Sequence, residues 1–318
     1  MEIALILLII VLVLAVGFDF VNGFHDTANA IATVVATRVL TPSQAIIMAA
    51  SLNFAGAMVG TAVAKTIASG LVPSHLVTQQ AIISALLAAI VWNLITWFYG
   101  IPSSSSHALI GGMVGAVIAE AGVSAPFWGA ISYKVLLPLI ISPIIGFVFS
   151  LVIMFVMLRI FIKRTPGQVQ GLFGKLQVVS SAFMAFSHGG NDAQKTMGIM
   201  TLAIVAYPPA AAYFHLTATH TDIPLEVKLV AAIAMGLGTA AGGWRVIKTM
   251  GHKLAKLQPI HGFAAETAAA TVIETASHLG FPLSTTHVIS SAILGPGHRR
   301  AQRLSSGISR AVSSQHGY

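Results

Sequence analysis

Two short stretches of an otherwise apolar chain carry residues that could do chemistry. In Val21–Thr33, VNGFHDTANAIAT, the residues Asn22, Asp26, Asn29 and Thr33 recur at i, i+4, i+7 and i+11, one face of a helix. A near copy, HGGNDAQKT, puts Asp192 where Asp26 stood, 166 residues on, with His188 and Lys195 repeating the spacing. A charged side chain in hydrocarbon costs roughly 2.5–3.5 kcal/mol even on a lenient insertion scale, so such residues mark a substrate or ion path. Two copies of the element predict a site between two structural repeats.

A second duplication points to what the site would hold. PSSSSH (Pro102–His107) and PLSTTH (Pro282–His287) align at an offset of 180 that also brings Gly115 onto Gly295. Proline is favoured in the first turn of a helix, so both read as helix starts. Their backbone N–H groups, with the hydroxyls of Ser104, Ser105, Ser106, Ser284, Thr285 and Thr286, suit an oxyanion. Carboxylates would repel that anion unless a cation or proton lay between. Asp26 and Asp192 therefore read as coupling-ion residues, and His25 and Glu266 are expected beside them in that role. Asn29, Asn191, Gln194 and Lys195 are expected to line the substrate, with Asn22, His107, His188 and His287 in a second tier. The bland alternative is that the hydroxyls bond carbonyls one turn back and the glycines only pack helices. It fits the serines far better than the duplicated acids.

The elements that must position these groups follow from composition. Of 318 residues, 56% are hydrophobic and 8% charged, which marks an all-α polytopic membrane protein. The absence of cysteine excludes disulfides and thiol chemistry. The net charge of +8 is spread over short loops and the tail, which argues against a nucleic-acid surface. Because the N-terminal segment opens on Glu2, not on a basic region, it reads as a retained span and not a signal peptide.

Hydrophobic passages are expected over 1–38 (interrupted near Asn22–Gly23), 45–64, 79–99 and 128–162, with a half-length or re-entrant helix after Ser103. Further passages are expected over 176–206, 228–244 and 263–279, with another short helix after Pro282. Loops are expected over 163–175, 207–227 and 245–256. Placing the Lys/Arg-rich loops on the cytoplasmic side makes 1–162 and 176–295 two inverted-topology repeats joined by the basic loop 163–175. That gives about 9–10 membrane segments, with an atypical basic tail, 296–318, where a last helix appears to be missing.

GFHDTANA, GGNDAQKT, PSSSSH and PLSTTH, in this order and duplicated, resemble the inorganic phosphate transporter family over about residues 15–295. The resemblance implies phosphate uptake across a bacterial cytoplasmic membrane by a multi-pass symporter, with phosphate, protons and the lipid bilayer as partners and a homo-oligomer admitted. The HD form of the first motif is similar to the low-affinity branch, which implies proton symport of a neutral metal-phosphate. Magnesium or another divalent cation would then be cargo, with no cofactor and no permanent metal. The family's sodium-coupled pattern has Asn where this chain has His25 and Lys195. An ammonium at Lys195 would supply the charge that sodium brings, and His25 titrates near neutral pH. The alternatives are a carrier of sulfate or another tetrahedral oxyanion, or sodium-coupled phosphate symport. Duplication argues against an intramembrane Ser/His hydrolase, and no HExxH, P-loop or GxSxG is present.

Overall fold

The computed structural model describes residues 2–70, 77–217, 222–253 and 257–297, and every regular element among them is helical. Helix α1, Glu2–Ala36, runs unbroken through the expected interruption at Asn22–Gly23. Gly23 serves contact instead: a Cβ there would lie 2.6 Å from the Met235 carbonyl oxygen, so glycine lets two backbones touch.

The next helix, α2 (Pro42–Ala57), starts on a capping box, with Pro42 in the first turn and Thr41 exchanging hydrogen bonds with Gln44. The expected single passage 45–64 is in fact broken: α2 turns by 65° into α3, Ala62–Gly70. Helix α4, Gln79–Tyr99, ends on Gly100 at φ 65° and is followed by the short α5, Ser105–Ala121. Then α6 (Trp128–Ile131), a π-helical turn (Ser132–Leu136) and α7 (Leu137–Phe161) form one 34-residue passage.

The 40-residue helix α8, Pro166–Val205, absorbs most of the expected loop 163–175. Its start repeats the device of α2, with Thr165 capping Gln168 and Pro166 in the first turn. Hydropathy misplaced this boundary because the opening turns, GQVQGLFGK, are polar while the cap is a local signal. The expected loop 207–227 holds the short α9, Pro208–Tyr213, and the first residues of α10, Leu225–Ala241. Helix α10 bends by 59° into α11, Trp244–Lys248, which continues as a π-helical turn, Thr249–Lys253, where a basic loop was expected. The chain closes with α12, Pro259–His278, and α13, Thr285–Gly297. The tail from 298 lies outside the described residues.

Both halves thus share one order: a long helix (α1, α8), a bent pair (α2–α3, α10–α11), a helix (α4, α12) and a short helix (α5, α13). The long helices touch each other and are clasped crosswise, α1 by α10 and α4, α8 by α2 and α12. Among the described residues, three passages, α1, α4 and Trp128–Phe161, are long and apolar enough to cross a membrane, and each bent pair qualifies as one more. On α7 the exposed residues Ile140, Ile144, Val148 and Val152 form a stripe for lipid. By contrast α8 is buried without interruption from Ser187 to Ile204, which is why its polar residues are tolerated. Its motif lies between two apolar cores, one including Phe18, Ala57 and Met197, the other Ile31, Ala265 and Leu283.

Candidate functional site

Helices α1 and α8 bring the two acidic motifs face to face, and α5 and α13 aim their first turns at them. Asp26, His188 and Asp192 are all buried and offer ligand atoms within 4.8 Å of one another. His188 Nε2 stands 3.3 Å from Asp192 Oδ2 and 4.0 Å from Asp26 Oδ2. Each carboxylate also has a basic neighbour from its own helix. His25 Nδ1 lies 2.5 Å from Asp26 Oδ1, and the Lys195 ammonium donates to Asp192 Oδ1. Burial in a low dielectric makes these pairings obligatory, since an unpaired charge there costs several kcal/mol.

The hydroxyl clusters meet the acids in two matching sets. Ser105 Oγ is 2.8 Å from Asp26 Oδ2 and 2.5 Å from Asn22 Oδ1, while Thr285 donates to Asp192 Oδ2 over 3.3 Å. The next hydroxyls cross between the halves. Lys195 Nζ donates to Ser106 Oγ over 2.5 Å, and at the equivalent place Asn29 Nδ2 donates to Thr286 Oγ1 over 2.9 Å. Ser104 and Ser284 do something else. They accept the backbone N–H of His107 (3.3 Å) and His287 (3.2 Å), capping α5 and α13. The His107 and His287 rings then lie 5.2 Å apart, so the two short helices meet at their first turns.

Three other expected residues lie at the edge of this cluster or beyond it. Gln194 Oε1 accepts from the backbone N–H of Val63 (2.9 Å) and Ala64 (3.4 Å), capping α3 at the break. Asn191 Nδ2 donates to Ser277 over 2.7 Å. Glu266 sits apart from the two aspartates, where Thr33 and Ser180 donate to it and Gln177 Nε2 lies 3.3 Å away.

The structure adds residues that spacing alone did not single out. Thr96 Oγ1 faces His25 Nε2 at 3.1 Å and accepts from Ser103 over 2.8 Å. Asn53 Nδ2 donates to Thr239 Oγ1 over 2.9 Å, and that hydroxyl donates to the Met235 carbonyl. The chain of donors turns Asn53 Oδ1 toward His188 Nδ1 at 3.0 Å, so Nδ1 carries a hydrogen. Nε2, between two carboxylates, must then hold either a proton or a cation. No duplicated motif or acidic residue marks Thr96 or Asn53, which sit among scattered polar residues on apolar helices. Among the described residues, the buried amide oxygens without a hydrogen-bond partner include Asn29 Oδ1 and Asn191 Oδ1.

Known proteins resemble this chain in sequence and in fold. The chain is 48% identical over 300 residues to the probable low-affinity inorganic phosphate transporter of Bacillus subtilis, covering 93% of this chain and 87% of that one. It is 44% identical over 295 residues to the protein of the same description from Rhizobium meliloti, covering 92% and 86%. Among solved structures, a sodium-dependent phosphate transporter superposes with a TM-score of 0.82 at 26% identity, covering 97% of this chain and 94% of its own. The profile of the phosphate transporter family matches residues 22–315, so it takes in both acidic motifs, both hydroxyl clusters and most of the basic tail. This chain, a multi-pass helical membrane protein and not an enzyme, belongs to the phosphate transporter family.

Proposed function

We propose that the protein takes up inorganic phosphate through a bacterial cytoplasmic membrane by proton symport, with phosphate travelling as its neutral complex with a divalent cation. The observation that carries this reading is Lys195, whose ammonium touches both Asp192 and Ser106. A tethered positive charge thereby occupies the space between carboxylate and hydroxyl that a sodium ion would otherwise fill. On the other carboxylate His25 stands in the same position, its Nδ1 2.5 Å from Asp26 Oδ1.

A divalent cation fits the remaining group. Asp26, Asp192 and a singly protonated His188 present two carboxylate oxygens and one imidazole nitrogen; the carboxylates with phosphate oxygens suit magnesium, and the full set suits a first-row metal. The amide oxygens of Asn29 and Asn191 lack donors, and monohydrogen phosphate can supply one where sulfate cannot.

Radiolabelled phosphate uptake in proteoliposomes tests the proposal, with the pH gradient, sodium and Mg²⁺ varied independently. Uptake should follow the pH gradient, require Mg²⁺ and ignore replacement of sodium by choline. Uptake driven by a sodium gradient at equal pH would overturn the coupling. Uptake unaffected by chelation of divalent cations would overturn the metal complex. Competition by sulfate as strong as by phosphate would overturn the substrate.

A further inference from the structure

One buried acid has no part in the site just described. Asp19 lies on α1 two turns before Asp26, so Asp19, Asp26 and Thr33 recur every seven residues along one face, about 10 Å apart. Its side chain is fully buried, Oδ1 accepts from Thr196 Oγ1 over 2.9 Å, and Oδ2 has no hydrogen-bond partner. Among the described residues no basic group reaches ion-pair distance from it.

Asp19 is also outside the duplication. At the 166-residue offset its counterpart is Ala185, and that of Thr196 is Ala30. Glu266 is unduplicated as well, since its counterpart at the 180 offset is Leu86. The two extra acids flank the central pair from opposite directions along the long helices. Asp19 pairs with α8 beyond Asp192, at Thr196, while Glu266 pairs with α8 before it, at Gln177 and Ser180, and with α1 at Thr33.

We propose that Asp19 is a proton-binding residue of the transport cycle, on the side of the aspartate pair opposite Glu266. With one hydroxyl donor and no cation, the carboxylate would be a buried, uncompensated charge, and a bound proton removes that cost. The proton resides on the open oxygen, Oδ2, while Oδ1 stays with Thr196. When water or a cation reaches the pocket, the proton leaves Oδ2 for that water and a carboxylate remains, so the balance is one proton and one negative charge.

The charged groups that bear on Asp19 are Asp192, Lys195 and His188, all of α8. Of the other helices on α1, α2 has no ionisable residue, α4 has Tyr99 in its last turn and α10 has Glu226 and Lys228 in its first. Helices α11, α12 and α13, which bring Arg245, Lys248, Glu266 and His287, join α1 further along, at Asn29 and Thr33 for α13 and α12. A proton on Asp19 therefore answers chiefly to the charge state of the α8 motif.

The inference rests on proton symport, and the experiment separates the two. Proteoliposomes with wild type, Asp19→Asn, Asp19→Glu and Thr196→Val are compared for phosphate uptake against pH and for protons moved per phosphate, read with an internal pH dye. Insertion and fold are checked by gel filtration. For Asp19→Asn the ratio of pH-driven uptake to exchange between equal phosphate pools should fall about ten-fold, and Asp19→Glu should restore it. Thr196→Val, which leaves the acid but removes its donor, should shift the pH midpoint of uptake by about one unit. An unchanged pH profile and proton count in Asp19→Asn would overturn the role of Asp19 while leaving symport intact. If Asp19→Asn does not fold, an unshifted midpoint in Thr196→Val overturns it instead. Absence of proton movement in the wild type would overturn symport and the inference together.

Discussion

At the scale of single residues, the site is a set of charges that hold one another in hydrocarbon. Asp192→Asn leaves Lys195 buried without its anion, a loss of about 3–5 kcal/mol, so less folded protein and no uptake are expected. The double variant Asp192→Asn with Lys195→Asn removes both charges. It should recover folding, judged by thermal melting in detergent, without recovering transport. Recovery of transport would show that the pair is structural. Lys195→Asn alone should lose proton-driven uptake and respond to sodium if anything restores it; sodium stimulation of the unaltered protein would contradict the same argument. His25→Asn removes the basic partner of Asp26 and should change the pH dependence of proton-driven uptake; an unchanged profile would contradict a part for His25 in coupling. The duplicated acids were legible because an ionisable residue in an apolar stretch has few bland explanations. Asn53 and Thr96 were not legible, because a lone amide or hydroxyl in a helix is common and only the folded contacts show what it orients.

Helices and their ends divide the hydroxyl clusters into two jobs that the motif alone does not distinguish. Ser104 and Ser284 cap α5 and α13, so Ser104→Ala and Ser284→Ala should each lower stability by about 1 kcal/mol with a smaller effect on phosphate binding. Ser106→Ala and Thr286→Val should do the reverse, because their partners Lys195 and Asn29 belong to the opposite half. Equal effects on melting and binding in all four would contradict this division. Close helix contact is the other element-scale device. A Cβ at Gly189 would lie 2.2 Å from the Asn53 backbone oxygen, whereas one at Gly167 would meet nothing within 4 Å. Gly189→Ala is therefore expected to destabilise by about 1–3 kcal/mol, and Gly167→Ala to be nearly neutral by the same melting assay. The expected break at Gly23 failed for a related reason. A glycine reads alike in sequence whether it frees the backbone or admits a neighbour.

For the whole molecule, apolar runs and the order of motifs were enough to anticipate an all-helical membrane protein with short helices after both proline motifs. They did not reveal how far α8 extends, because its polar opening turns look like a loop and its buried face looks too polar for a span. Inverted repeats would place the α5–α6 turn outside and the α7–α8 turn inside the cell. The chain has no cysteine, so single introduced thiols report this directly. Val123→Cys should react with an impermeant maleimide on intact cells, and Lys163→Cys only after permeabilisation. The opposite pattern would reverse the orientation.

The crossed bonds have a consequence for where the polypeptide can be cut. Ser106 serves Lys195 and Thr286 serves Asn29, so neither half holds a finished pocket. The linker between the halves is short and exposed, with residues 162–165 lying outside helix. Two fragments divided there and made together in one cell should complement each other, and either one alone should be inert. What reads as internal duplication would then behave as a heterodimer joined by four residues of convenience.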